Sequence, residues 1–177
     1  MNIGMIGAGK LGTPVSLAIE SRGHHVTVYD INPDVSTYLN ERRIPYIEEG
    51  IQPLLDSNNI QVAHSIGEVV ASSDIVFAAI QTPHDPKYEG TTRLPETRAD
   101  FNYEYLAMAV GEVAAEAQSQ GKQTTLAVIS TCLPGTFSRE IAPLLNEMID
   151  YTYNPLYIAM GTVIQDYRSE ERFSRNA

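Results

Sequence analysis

The sequence predicts a doubly wound α/β fold, in which a mostly parallel sheet carries helices on both faces of a single domain. Short apolar runs alternate with helical patterns along the whole chain, as expected for such a fold. Two of the runs, 74–80 and 126–129, are apolar on both faces, as strands buried between two helix layers are. The chain also opens with a short apolar run, a G-x-G-x-x-G turn and a helical pattern.

The elements follow in order along the chain. Strands are predicted at 2–6, 25–29, 60–63, 74–80, 124–130 and 150–153, and helices near 10–22, 34–41, 51–57, 66–72, 102–119 and 136–148. In the fifth helix, Leu106, Val110 and Val113 recur at helical spacing, so this stripe is expected to face the sheet. The stretch 84–100 lacks periodicity and is predicted to be a long loop at the carboxyl edge of the sheet. A lid or subunit-contact loop is favoured, and the alternative is a neutral insertion.

Composition excludes several classes of protein. The chain has 177 residues, of which 43% are hydrophobic, enough for one core, and no apolar run approaches 18 residues. A formal net charge of -10 argues against nucleic acid or an anionic membrane as partner. The single cysteine, Cys132, fits a reducing compartment, and the N-terminus lacks the pattern of a secretory signal. We expect a cytoplasmic protein with no metal site.

The opening turn is typical of dinucleotide-binding, Rossmann-like domains. Gly7 allows a tight turn, Gly9 lets the backbone approach a pyrophosphate, and Gly12 lets the helix pack close to the strand. The helix N-terminus at Lys10 and Leu11 supplies free N–H groups and partial positive charge for the phosphates. The alternative is a glycine-rich turn that binds nothing.

Asp30 stands where the second predicted strand ends, near 20 residues beyond the glycines. A carboxylate there accepts hydrogen bonds from the adenosine ribose and repels a 2′-phosphate, which favours NAD over NADP. The alternative role for Asp30 is that of a helix cap.

Six separated motifs carry a more specific resemblance. They are the glycine turn, Asp30-Ile31-Asn32-Pro33, Ile47-Glu48-Glu49-Gly50-Ile51, Thr82-Pro83, Ser130-Thr131-Cys132-Leu133-Pro134-Gly135-Thr136 and Tyr153-Asn154-Pro155. In order and spacing they resemble the N-terminal NAD-binding domain of the UDP-glucose/GDP-mannose dehydrogenase family.

The resemblance implies roles for two threonines at strand ends. Thr82 and Thr131 would both approach NAD, and Thr131 would act as a catalytic residue that helps to position a water. The alternatives are that Thr82 caps a turn before Pro83 and that Thr131 caps a helix starting near Pro134. Glu48 and Glu49 also fit a solvated acidic turn, and no site is predicted there.

The family oxidises the C6 alcohol of a UDP- or GDP-sugar to a carboxylate with two NAD molecules, through a cysteine-bound intermediate. The nucleophilic cysteine belongs to later parts of such proteins, and Cys132 replaces a valine of the family motif. The resemblance therefore implies an NAD-dependent oxidoreductase acting on CH–OH groups, with a nucleotide-sugar substrate. The full-length protein would be a homodimer, and this chain alone an inactive cofactor-binding fragment, monomeric by itself.

The chain departs from the family pattern at several positions. Leu156 and Met160 replace two glutamates, and Ala159 replaces an arginine, in the segment after Tyr153-Asn154-Pro155. Val35 replaces a lysine and Gln81 a glycine. We therefore expect a divergent member of the family.

Two other functions remain open at this point. A hydroxyacid or 6-phosphogluconate type dehydrogenase shares the glycine turn and Asp30, but does not account for Ile47–Ile51 or Leu133–Thr136. A non-catalytic module that senses NAD(H) is favoured by the loss of the two glutamates.

The last ten residues, 168–177, resemble the in-frame translation of a sequencing adapter. We therefore expect residues 1–167 to form the NAD-binding domain and 168–177 to be a non-native tail.

Overall fold

All six predicted strands are present in one parallel sheet in the computed structural model, which describes residues 1–89, 91, 93 and 95–169. The strands are β1 (Asn2–Ile6), β2 (His25–Tyr29), β3 (Gln61–Val62), β4 (Ile75–Ala78), β5 (Thr124–Val128) and β6 (Ile149–Tyr153). Their order is β3-β2-β1-β4-β5-β6, and every neighbouring pair is parallel. The chain thus winds outward from β1 in both directions, which confirms the doubly wound fold.

Helices in the described part of the chain flank the sheet. They are α1 (Gly12–Glu20), α2 (Asp34–Asn40), α3 (Ile51–Ser57), α4 (Ile66–Ser72), α5 (Glu104–Gln120) and α6 (Val163–Arg168). Two 3-10 turns, Pro86–Tyr88 and Ala142–Leu144, and one π turn, Phe137–Ile141, complete the regular structure.

The hydrophobic core forms two clusters, one on each face of the sheet. One cluster joins α4 and α5 to β4 and β5, and it includes the predicted stripe Leu106, Val110 and Val113, all fully buried. The other joins α1, α3 and α6 to β1 and β2 around residues such as Leu17 and Leu55. Burial on both faces explains why the runs Ile75–Ala78 and 126–129 are apolar.

The predicted helix 136–148 is wrong. The segment contains one π turn and one 3-10 turn and ends at Leu144. Pro143 cannot donate an amide hydrogen and its ring clashes with the preceding turn, so a continuous α-helix cannot form. The sequence analysis also missed α6, whose six residues are too few to show a clear period.

Two central strands are shorter than predicted. β4 ends at Ala78 and β5 at Val128, each two residues early. Beyond the ends of these strands, Ser130 links the two chain segments. Its hydroxyl accepts from the amide of Ile80 at 2.9 Å and donates to the carbonyl oxygen of Ala78 at 3.3 Å. The amide of Ile129 also donates to the carbonyl oxygen of Ala78 at 3.0 Å, so β4 and β5 stay joined just beyond their assigned ends.

Little regular structure is present in the predicted loop at 84–100, where the described residues form only the turn Pro86–Tyr88. Gly90 and most of the predicted tail, residues 170–177, lie outside the described residues. Arg168 is the last residue of α6, and its guanidinium donates to the hydroxyl of Ser21. The boundary at 167 stays a prediction.

Candidate cofactor-binding site

A cavity of about 500 Å³ lies at the carboxyl ends of β1, β2 and β4. Its floor includes Gly7 and Gly9 from the glycine turn and Asp30 from the end of β2. Tyr105, Met108, Ala109 and Glu112 of α5 form one wall. The cavity lies where the strand order reverses between β1 and β4, which is where ligands of open α/β sheets bind.

The three glycines of the turn meet different constraints. Gly7 has a φ of +89°, and a Cβ there would lie 2.4 Å from the carbonyl oxygen of Ala79. A Cβ on Gly12 would lie 1.8 Å from the carbonyl oxygen of Gly7. Around Gly9, in contrast, no described atom other than those of Gly9 and its two chain neighbours lies within 4 Å of an added Cβ. The fold itself requires glycine at Gly7 and Gly12, because a side chain there would clash with backbone atoms. At Gly9 the space is open, and a diphosphate group can occupy it.

The start of α1 offers donors to such a ligand. Within the described residues, the amides of Lys10 and Leu11 have no acceptor, and no side chain caps the helix. Two hydroxyl groups bind the carbonyl groups of the turn. The hydroxyl of Thr13 donates to the carbonyl oxygen of Ala8 at 2.5 Å, and that of Tyr46 donates to the carbonyl oxygen of Gly9 at 3.4 Å. Burial raises the pKa of Tyr46 to about 12, so its hydroxyl stays protonated as a donor.

The carboxylate of Asp30 binds the backbone of the glycine turn. One carboxylate oxygen accepts from the amide of Ala8 at 2.7 Å and the other from the amide of Asn32 at 2.8 Å. Each oxygen keeps a further lone pair for a ribose hydroxyl. The start of α2 is instead held by Asn32, which accepts from the amide of Asp34 at 3.0 Å, so the helix-cap alternative for Asp30 is wrong.

Thr82 and Thr131 meet beyond the ends of β4 and β5. The hydroxyl of Thr82 donates to the carbonyl oxygen of Thr131 at 2.9 Å. Thr131 itself is exposed, and neither threonine caps a local turn or helix as the alternatives required. The structure brings the two threonines together, but neither lines the 500 Å³ cavity. Their contact with a cofactor stays a prediction.

Glu48 contradicts the interpretation as a solvated acidic turn. It is buried, and its carboxylate accepts from the amides of Gly161 at 3.1 Å and Ile164 at 3.0 Å. A carboxylate at this place satisfies free N–H groups and complements the helix dipole at the start of α6. Glu49 is exposed, as the interpretation requires. Glu48 is thus a structural residue that joins α6 to the segment before α3.

The sequence analysis missed Thr13, Tyr46 and Tyr103 as supports of the site. Thr13 and Tyr46 hold the glycine turn, as described above, and the hydroxyl of Tyr103 accepts from the amide of Leu133 at 3.0 Å. A hydroxyl that bonds to distant backbone leaves no spacing pattern in the sequence.

The family assignment follows from the whole chain. The model of the UDP-glucose/GDP-mannose dehydrogenase family, NAD binding domain, matches residues 1–173. The chain belongs to this family. NAD as cofactor and membership of the NAD-dependent dehydrogenases, both expected from the sequence, are thereby confirmed.

Curated relatives agree with this assignment. GDP-mannose 6-dehydrogenase of Pseudomonas putida is 24% identical over 179 residues, covering 94% of this chain and 38% of the relative. UDP-glucose 6-dehydrogenase of Rhizobium meliloti is 28% identical over 181 residues, covering 97% and 38%. This chain thus spans well under half of the length of these relatives.

Solved structures show the same fold. A ternary complex of GDP-mannose dehydrogenase from Pseudomonas aeruginosa superposes with a TM-score of 0.82 at 22% identity, covering 96% of this chain and 39% of that chain. UDP-glucose dehydrogenase from Pyrobaculum islandicum gives 0.79 at 24% identity, with the same coverage. No helix in the described part of this chain has the length and apolarity to cross a membrane.

Proposed function

We propose that this chain is the cofactor-binding part of an NAD-dependent dehydrogenase that oxidises the C6 alcohol of a UDP- or GDP-sugar to a carboxylate. The open space at Gly9, beside the free amides of Lys10 and Leu11, carries the proposal because no packing within the described chain accounts for it. When bound, NAD would supply the hydride acceptor.

In this proposal each residue has a defined task. The amides of Lys10 and Leu11 bind the diphosphate at the N-terminus of α1, where the helix dipole favours an anion. Asp30 accepts from the adenosine ribose and discriminates against a 2′-phosphate. Thr82 and Thr131 contact the nicotinamide half, and Thr131 also helps to position the water of the final hydrolysis.

The chain by itself is proposed to bind cofactor without turnover, because the resemblance places the family's nucleophilic cysteine outside the NAD-binding domain that this chain matches. Cys132 does not replace it. Burial raises the pKa of the Cys132 thiol, which disfavours the reactive thiolate. The whole protein is proposed to be a homodimer.

The hydroxyacid and 6-phosphogluconate alternative is set aside, because the match to the nucleotide-sugar family extends over residues 1–173. The NAD(H)-sensing alternative keeps one specific observation in its favour. Leu156 and Met160 replace the family's two glutamates, so the segment after β6 lacks the acid groups of a hydrolytic site.

Isothermal titration of the folded chain with NAD, NADP and ADP-ribose tests the proposal. Saturable binding of NAD and ADP-ribose, with weaker binding of NADP, is the expected result. A folded sample that shows no heat and no saturable signal with either NAD or ADP-ribose would refute it. Activity of the chain joined to the remaining portion of a family dehydrogenase, assayed with UDP- and GDP-sugars, separates the dehydrogenase from the sensor.

A further inference from the structure

Three hydroxyl groups from three separate segments of the chain hold the backbone that follows β5. As noted above, Thr82 binds the carbonyl oxygen of Thr131. The hydroxyl of Tyr153, at the end of β6, accepts from the amide of Cys132 at 3.1 Å. The hydroxyl of Tyr103, just before α5, accepts from the next amide, that of Leu133. Thr131 is thus exposed while the backbone around it is restrained.

Tyr103 is the buried member of this set, with only 5% of its surface exposed. Its hydroxyl donates to one oxygen of Asp100 at 2.8 Å, and the other oxygen of Asp100 pairs with Arg139 at 2.5 Å. Arg139 belongs to the π turn that follows this backbone segment. The contacts through Tyr103 and Asp100 therefore link the amide of Leu133 to the side chain of Arg139.

The same tyrosine is joined to the base of the long loop. The amide of Asn102 donates to the carbonyl oxygen of Pro83 at 2.8 Å, which brings the two ends of that loop together. The rings of His84, Phe101 and Tyr103 follow one another, with centroids 5.9 Å and 6.3 Å apart. Tyr103 therefore packs against residues that follow β4, and its hydroxyl binds the backbone at Leu133, which follows β5.

We propose that Tyr103 is a positioning residue, whose hydroxyl bridges Asp100 and the amide of Leu133 and so holds Thr131 in place against the nicotinamide half of the cofactor. The proposal rests on the function proposed above, in which Thr131 contacts that half. Asp30 and the glycine turn, which bind the adenosine and diphosphate portions, lie outside this set of contacts. Loss of the Tyr103 hydroxyl should therefore weaken binding of the nicotinamide half and leave binding of the adenosine and diphosphate portions unchanged.

The test compares Tyr103→Phe with the unchanged chain by calorimetry, using NAD and ADP-ribose, which lacks the nicotinamide. Removing the hydroxyl breaks two part-buried hydrogen bonds, one to Asp100 and one from the amide of Leu133, and is expected to weaken NAD binding roughly three- to tenfold. The affinity for ADP-ribose should stay within about twofold. Tyr167→Phe is a matched control, since Tyr167 is a half-buried tyrosine of α6 that packs with the other core cluster. Both of its affinities should be unchanged.

A second variant tests the same contact independently, in case Tyr103→Phe does not fold. Asp100→Ala removes the acceptor of the Tyr103 proton and the partner of Arg139 at an exposed position, and it should reproduce the selective loss of NAD affinity. Unchanged NAD affinity in both variants, or equal losses for NAD and ADP-ribose, would overturn the positioning role. If the unchanged chain binds neither ligand, the proposed function fails instead.

Discussion

Gly9→Ala separates what the fold requires from what the ligand requires. Apart from Gly9 and its two chain neighbours, a Cβ at this position would meet no described atom within 4 Å, and Gly9 does not have a left-handed φ. Alanine can therefore adopt the native conformation while reducing the freedom of the unfolded chain. We expect the free energy of unfolding to stay unchanged or to rise by up to about 1 kcal/mol, which is roughly 2–4 °C in melting temperature for a chain of this size.

Binding should respond in the opposite direction. The added methyl group fills the space in which the diphosphate is proposed to lie, so the affinity for NAD should fall at least about tenfold, or about 1.4 kcal/mol. Thermal unfolding followed by circular dichroism gives the stability, and calorimetric titration with NAD gives the affinity. The unchanged chain is measured in the same buffer.

Gly12→Ala is the matched comparison. Its Cβ would lie 1.8 Å from a backbone oxygen that cannot move freely, so the free energy of unfolding should fall by about 1–3 kcal/mol or more. If Gly9→Ala binds NAD as tightly as the unchanged chain, the ligand does not approach Gly9 and the argument from open space is wrong. If Gly9→Ala is as unstable as Gly12→Ala, the described packing of the turn is wrong.

Three further predictions concern charged groups. Asp30→Ser should weaken NAD binding more than NADP binding, and unchanged discrimination in calorimetric titration would remove the proposed ribose role. Glu48→Ala should lower the free energy of unfolding by about 1–3 kcal/mol in urea denaturation, because two amides at the start of α6 lose their acceptor. Glu49→Ala, at an exposed position, should change it by less than about 0.5 kcal/mol, and equal effects would contradict the capping role. The pKa of Asp100 is lowered, mainly by the hydrogen bond from Tyr103, so its stabilising effect should be complete above the unfolded value of about 3.9 and disappear as the pH falls through the folded pKa. Urea unfolding between pH 6 and pH 2 should show this loss, Asp100→Ala should reduce it, and identical pH profiles would contradict the contact.

Local patterns were sufficient for the sheet and for part of the site. Alternation of apolar runs with helical segments identified all six strands. The clearest was β4, Ile75–Ala78, because a strand covered by helices on both faces is apolar throughout. The turn at Gly7, Gly9 and Gly12 and the acid at Asp30 were recognisable because one strand-turn-helix-strand unit places them at nearly constant spacing. The helix predicted at 136–148 is replaced by a π turn and a 3-10 turn, because Pro143 interrupts the hydrogen-bond pattern of an α-helix.

The amino-acid sequence alone determined the fold class, the glycine turn and the acid at the end of β2, since each depends on residues close together in the chain. Only the tertiary structure decided what Glu48 and Tyr103 do. The carboxylate of Glu48 binds amides 113 and 116 residues away, and the hydroxyl of Tyr103 binds one 30 residues away. Such bonds form only after the sheet has brought the ends of distant strands together, and a buried polar group then takes whichever partner lies within reach, because leaving it unpaired is costly.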